Sequence, residues 1–111
     1  MNEPIDNKRR DCREVDGRRI LDKLAGLRIE SWNYKFDDPK IRHIGPMAQD
    51  FAAAFGLADD ARTINFGDAI GVAFAAIKEL DALLDERDRQ IAALREGLTE
   101  IREALARIRR A

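Results

Sequence analysis

Cysteine is almost absent from this sequence of 111 residues, which contains Cys12 alone. A single thiol excludes an internal disulfide and any zinc site built from several thiolates. No segment approaches the ~18 uninterrupted apolar residues of a membrane-spanning helix, and the polar start has no apolar signal-peptide core. With 20 Lys and Arg against 21 Asp and Glu, no sequence-wide field attracts nucleic acid or an anionic membrane. We therefore expect a soluble, cytoplasmic protein with neither of those partners.

Charged residues are abundant and evenly mixed. They make up 37% of the chain, above the roughly 25% of ordinary globular proteins, while hydrophobic residues at 45% exclude wholesale disorder. This combination is typical of long, solvated helices. We expect an α+β chain in three parts: a flexible lead-in over residues 1–14, a small helix-and-hairpin body over 15–67, and a long helix over 68–111.

The body contains signals for short helices and strands. A helix is predicted from Asp16, which can cap it, to Gly26, which can end it. Residues 27–36 and 41–44 are predicted to form two strands of a hairpin around a turn of sequence DDPK. Pro46 is expected at the first position of a second helix that ends at Gly56, and residues 63–66 are a candidate third strand.

The last 44 residues follow a heptad pattern, without proline and with glycine only at positions 71 and 97. Eleven of the twelve a and d positions are apolar, and such a stripe cannot be buried by one helix alone. The predicted interface residues are Ile70, Ala73, Ile77, Leu80, Leu84, Arg87, Ile91, Leu94, Leu98, Ile101, Leu105 and Ile108.

The composition of this stripe favours a parallel trimer. Ile and Leu mix at both a and d, without the division that selects parallel dimers. Apolar residues at the flanking positions widen the stripe, namely Phe74 at e and Ala76, Leu83 and Ala104 at g. The alternative is a helix that folds back on the body, but it would overhang so small a domain.

Three stretches of the chain resemble a known family: VDGRRILDKLAGLRIESWNYK, IRHIGPMAQDFAAAFGL and INFGDAIGVAFAAIKELDALLDERDRQIAALR. Taken in this order they resemble the intramolecular chaperone domain, or peptidase S74 domain, of phage endosialidases, tailspikes and tail fibres. The resemblance covers about residues 8–95. The motif residues that carry it most specifically are His43, Gly45, Met47, Gln49 and Asp50, followed by Gly67 and Asp68.

The resemblance implies a homotrimer in which an α+β body precedes a helical bundle at the end of a fibre. It also implies self-cleavage before an Asp, by a Ser immediately upstream with the help of a Lys about five residues downstream. This sequence departs from that pattern, because its one serine, Ser31, lies in a predicted strand, and residues 4–10 contain no Ser-Asp pair. We expect no catalytic residue here.

Other candidate sites are weaker. His43 with Asp37 and Asp38 is too small a set for a metal or acid–base centre, so we interpret His43 as a packing residue and expect no metal or cofactor. Trp32, Tyr34 and Phe36 are interpreted as core rather than as a ligand-stacking surface. Cys12 has no candidate base beside it and is interpreted as an incidental thiol.

The sequence thus predicts a non-enzymatic module that pairs with itself and aids the folding of a fibre-like client. The client is expected to be fused before Met1 in a longer parent or bound in trans, and the module to be cytoplasmic or virion-associated. Two alternatives stay open: a self-cleaving serine peptidase domain, and a free-standing coiled-coil adaptor with a partner on the aromatic face.

Overall fold

The fold is a small α+β body joined to one very long helix. The computed structural model describes residues 8–57 and 60–111. Residues 1–7, half of the predicted lead-in, and residues 58–59, between the predicted second helix and the predicted third strand, lie outside the described residues. The order of elements is α1 (Gly17–Ala25), β1 (Glu30–Trp32), β2 (His43–Gly45), α2 (Ala48–Phe55) and α3 (Phe66–Arg110). This confirms an α+β chain with a hairpin and a long helix.

Helix α1 begins and ends where the sequence predicts. The Asp16 side chain accepts a hydrogen bond from the Arg19 backbone N–H at 3.1 Å, which satisfies one of the free donors of the first turn. At the other end, the Gly26 N–H donates to the carbonyls of Asp22 and Lys23. The apolar residues lie on one face, and that face packs against α3 and α2.

The hairpin is shorter than predicted. Strands β1 and β2 pair antiparallel over three residues each, with Ser31 opposite Ile44. The predicted first strand over 27–36 is wrong beyond Trp32, because the Asp37 N–H donates to the Tyr34 carbonyl at 3.1 Å and turns the chain there. Among the described residues, neither strand packs against any of the three helices.

Helix α2 starts later than predicted and ends as predicted. Pro46 lies outside the helix, whose N-cap is Met47, so the expected proline at the first helical position is wrong. Gly56 closes the helix with φ 61°, in the left-handed region that favours glycine. The Lys23 ammonium of α1 donates to the Ala54 carbonyl at 2.6 Å, which places a cation on the last turn of α2 and ties the two helices together.

Helix α3 takes over the residues expected to form a third strand. The Asn65 side chain accepts from the Asp68 N–H at 3.1 Å and caps the helix, so residues 63–66 form no strand and the helix begins at Phe66. Its 45 residues extend about 67 Å at the usual helical rise. None of the helices in the described part of the chain is long and apolar enough to cross a membrane.

The core of the described residues is very small. Only Phe51, Val72 and Ala76 are buried, in a region where α1 packs against both α2 and the first turns of α3. The chain exposes 10248 Å² of surface, whereas a compact protein of 12.6 kDa exposes about 6,200 Å². Its radius of gyration is 23.2 Å, against about 13 Å for a compact domain of this length. The single chain therefore leaves much more surface in water than a stable monomer does.

Two Gly→Ala substitutions are predicted to have opposite effects. A Cβ added at Gly56 or at Gly71 would have no neighbouring atom within 4 Å, so neither substitution creates a steric clash. Gly56→Ala forces a left-handed φ on a residue with a Cβ and should destabilise by about 1 kcal/mol. Gly71→Ala, inside α3, should stabilise by about 0.5–1 kcal/mol. Urea midpoints measured at one protein concentration check both; a shift of the same sign in both variants contradicts the assignment of the two backbone conformations.

Candidate functional site

The main candidate site is the apolar stripe along α3. All twelve predicted interface residues lie on this one helix. Ten of them expose between 45% and 73% of their surface, namely Ile70, Ile77, Leu80, Leu84, Ile91, Leu94, Leu98, Ile101, Leu105 and Ile108. Ala73 is half-buried and Arg87 is exposed. We call this set the heptad stripe. An exposed apolar surface of this length marks an interaction site.

The heptad stripe and the contact with the body use different faces of α3. Helix α1 approaches so closely that a Cβ on Gly17 would meet the Ala75 carbonyl at 3.6 Å and the Glu79 side chain at 3.1 Å. The buried residues on this side, Val72 and Ala76, occupy heptad positions c and g. Packing on the body therefore leaves the a and d positions open. The expected alternative, in which the helix folds back to hide its stripe, is not the observed arrangement.

Beyond the body, no other part of the chain that the structure describes packs against α3. From Leu84 to Arg110 every residue is exposed except the small Gly97, Ala104 and Ala106, which are half-buried. An isolated helix gains little from intrinsic propensity, since most helical stability comes from packing of an apolar face. This half of α3 therefore lacks, within the described residues, the packing that ordinarily stabilises a helix.

Charged residues flank the stripe unevenly. Heptad position e carries Asp81 and Asp88 in the first half of the helix and Arg95, Arg102 and Arg109 in the second. Position g carries no charge over the same stretch. A parallel assembly pairs e with g of the next helix and so gains no salt bridges from these residues. An antiparallel pair would place the acidic half of one helix beside the basic half of the other. The two orientations of the helices therefore differ in their charge pairing and can be distinguished by experiment.

Arg87 interrupts the stripe at one d position. It is exposed and, within the described residues, has no hydrogen-bond or ion-pair partner, although acidic residues surround it in sequence. The nearby Glu86 pairs instead with Arg89 at 2.7 Å, and this hydrogen bond, together with the charge of Arg89, lowers the pKa of the Glu86 carboxyl. No contact within the described residues therefore holds the Arg87 side chain, which could change its conformation if a partner covered the stripe.

A second apolar surface lies on the hairpin. The Tyr34 and Phe36 rings stack with centroids 5.0 Å apart, and the edge of Tyr34 contacts Trp32 at 6.2 Å. Trp32 is half-buried, but Tyr34 is exposed and Phe36 is 83% exposed. The interpretation of all three as core is therefore wrong for Tyr34 and Phe36 in the single chain. Among the described elements, none packs on the face of this two-stranded hairpin, so its outer aromatic side chains stay in water.

His43 belongs to the same aromatic cluster. Its ring lies 5.0 Å from Tyr34 and 5.8 Å from Trp32, and its Nε2 is 3.8 Å from the Asp37 carboxylate, too far for a hydrogen bond. Among the described residues no group of three potential metal ligands comes together. Its packing against the two rings agrees with the interpretation of His43 as a packing residue.

The motif residues of the body occupy structural positions. Gly45 has φ 153°, a backbone conformation that favours glycine, and it lies against the Trp32 ring, which an added Cβ would meet at an ordinary contact distance of 3.5 Å. Met47 caps α2, with Gln49 and Asp50 in its first turn. Gly67 and Asp68 lie in the first turn of α3, where Asp68 donates its N–H to Asn65. Sequence reasoning missed Asn65, although an Asn three residues before an Asp is a recognisable capping signal.

Ser31 is not arranged as a nucleophile. Its hydroxyl oxygen accepts hydrogen bonds from Arg42 at 3.1 and 3.3 Å, and a guanidinium cannot act as a base. Cys12 is exposed and free. Two basic residues near it in sequence are paired: Arg13 with Asp11 at 2.7 Å and Arg18 with Asp22 at 3.1 Å.

Comparison with known proteins finds a family match in the body. Residues 7–60 match the family model Peptidase_S74, described as chaperone of endosialidase. The match spans α1, the hairpin and α2 and stops before α3, so it covers the motif residues of the body but not the heptad stripe. A search among curated proteins gives no match.

Proposed function

We propose, from the premise that residues 7–60 belong to the Peptidase_S74 family, that this chain is a trimerisation and folding module without enzymatic activity. One observation carries the proposal: a 45-residue helix exposes an apolar heptad stripe that the chain's own body leaves open. Three copies would bury this stripe around a common axis. Because the assembly fixes three attached chains in register, it would raise their effective concentration and promote their correct pairing.

The family description directs the choice of client. A chaperone of endosialidase acts on a polypeptide other than its own fold, and we infer that the client here is an endosialidase-like or fibre-like chain, held in cis or in trans. The module would work in the cytoplasm of the producing cell or remain on the virion. The self-cleaving peptidase is the weaker candidate, since the lone Ser31 is held by Arg42 and lacks a base.

The first prediction tests self-association. Leu84→Asp combined with Ile91→Asp places carboxylates in the seam and should convert the trimer to monomer, because burying unpaired charge is costly. Light scattering measures the mass. Ala82→Asp combined with Ala92→Asp is the matched control, since it adds the same charges at the outward f and b positions and should leave a trimer. A wild-type chain that stays monomeric at every concentration refutes the proposal.

The same variants test the folding role. Each chain is fused after an endosialidase fibre fragment that lacks its own chaperone segment. The wild type and the control pair should yield soluble trimeric fragment, and the seam variant should yield aggregate. Equal yields with all three would show that the module does not act on folding. The mass of the purified wild-type product also decides the enzymatic alternative, because an internally cut chain would revive the peptidase.

The second prediction concerns orientation. A pyrene label on Ala111→Cys, in a Cys12→Ser background, should give excimer emission, because a parallel trimer brings the three helix ends together. An antiparallel pair would separate the labels by tens of ångström along helices of about 67 Å. Dilution with excess unlabelled chain should abolish the emission. If the protein has the mass of a trimer or a dimer but gives no excimer emission, its helices are not parallel. The e-position charges, rather than the body, would then determine the orientation of the helices.

The third prediction concerns Arg87. In a parallel trimer three guanidinium groups meet at one level of the seam, and such polar layers select register at a cost in stability. Arg87→Leu should therefore raise Tm by about 3–8 °C and broaden the distribution of oligomers. Arg89→Leu, two residues away at an outward f position, should leave both unchanged. A lower Tm with an unchanged trimer would show that Arg87 is a stabilising contact.

A further inference from the structure

Arg87 and Asp88 are adjacent residues of opposite charge on α3, at heptad positions d and e. Both are exposed, and within the described residues neither makes a hydrogen bond or an ion pair. Two successive residues of a helix do not face each other, so the guanidinium and the carboxylate cannot pair within one chain. A partner for either charge has to come from another position or another helix.

The surface of α3 itself offers neither residue an opposite charge. The neighbours of a helical residue lie three or four positions away. These neighbours are Leu83, Leu84, Gln90 and Ile91 for Arg87, and Leu84, Asp85, Ile91 and Ala92 for Asp88. By contrast, Glu86 and Arg89 are three positions apart and pair at 2.7 Å. The outward c and f positions at this level thus have a partner in the same helix, whereas the d and e positions have none.

A second parallel helix provides the missing partner. In a coiled coil, each d side chain enters a hole formed by four residues of the facing helix. In a parallel arrangement these four are the a and d residues at its level, the e residue that follows d, and the next a residue. For Arg87 they are Leu84, Arg87, Asp88 and Ile91 of the facing helix. The carboxylate of Asp88 is therefore the anion that lines the hole.

Asp88 differs in this respect from the other acidic e residue of the stripe. Pairing between e and g gives neither of them a counter-charge, because the g residues opposite them are Ala76 and Leu83. Asp81 lies beside the d residue Leu80, which is apolar, while Asp88 lies beside Arg87, the one charged residue among the twelve a and d positions. The single cation of the stripe and an e-position acid thus occur at the same level.

We propose that Arg87 of each protomer pairs with Asp88 of the next, so that three ion pairs encircle the seam. This rests on the proposed parallel trimer. Charge complementarity makes a second copy of the chain the partner, because each helix offers one cation and one anion at the same level. The pairs also fix the register. In a closed ring of three, slipping one chain by a heptad places one Arg87 beside Arg95 of a neighbour, and the two cations repel each other.

The pair is compatible with the higher Tm expected for Arg87→Leu. Replacing the cation by an apolar residue removes the cost of taking it out of water, and the carboxylate of Asp88 then returns to water at the rim of the seam. Removing the carboxylate alone has the opposite effect, because three guanidinium groups then remain uncompensated in the seam. The two substitutions are therefore expected to be strongly non-additive.

A double-mutant cycle on the full chain, at one protein concentration, tests the pair. Asp88→Asn should lower Tm by about 3–8 °C, whereas the same substitution in an Arg87→Leu background should change Tm by less than about 1 °C. Asp81→Asn is the matched control, since it removes the same charge at the same heptad position beside Leu80, and it should shift Tm by less than about 2 °C. An Asp88→Asn shift that is equal in both backgrounds, or no larger than that of the control, would overturn the ion pair.

The mass and the excimer emission separate this result from the proposed function. A wild type with the mass of a trimer and with excimer emission, but without coupling between positions 87 and 88, would remove the ion pair and leave the proposed function intact. A wild type that is not a parallel trimer would instead overturn the assembly on which both proposals rest.

Discussion

The structure depends on one constraint: α3 carries an apolar stripe that the described residues of its own chain do not bury. The body contributes one buried residue, Phe51, and the first turns of α3 contribute two, Val72 and Ala76, so most of α3 stands in water. A folded chain of this size ordinarily removes more of its surface from water than this one does. In the proposed assembly, the stability of the body and the persistence of the long helix would be coupled to association, and the apparent stability would depend on protein concentration.

Helix α3 can hold the body and still expose the heptad stripe, because the two surfaces lie on different faces of the helix. Helix α1 lies against Val72, Ala75 and Glu79, at heptad positions c and f, and the a and d positions remain available. A helix that used its heptad stripe to hold the body would lose the surface needed for self-association. The division also explains why the family match ends near residue 60 while the heptad pattern continues. The body is recognised by its motifs, whereas a coiled coil requires only a repeating pattern of apolar residues.

Local signals predicted the helices better than the strands. Asp16, Gly26 and Gly56 act through their own backbone geometry, so their roles could be read directly from the sequence. The strand over 27–36 could not, because its length is set by its partner: β2 offers three residues, and the turn at Tyr34 ends the pairing. Asn65 was missed because the β-rich residues around it suggested a strand, and the capping bond to Asp68 prevailed. The exposure of Phe36 depends on tertiary contacts that no local pattern describes.

The candidate site was predictable in its residues but not in its surroundings. Heptad spacing alone placed the stripe on one helix, since the period fixes which residues share a face. The footprint of α1 was not predictable, because it depends on contacts between residues far apart in the sequence. Helix α1 lies against Val72, Ala75 and Glu79, at heptad positions c and f, on the face of α3 that points away from the stripe. A coiled coil leaves that outward face free, so the body can be attached to α3 without competing with a second helix for the a and d positions.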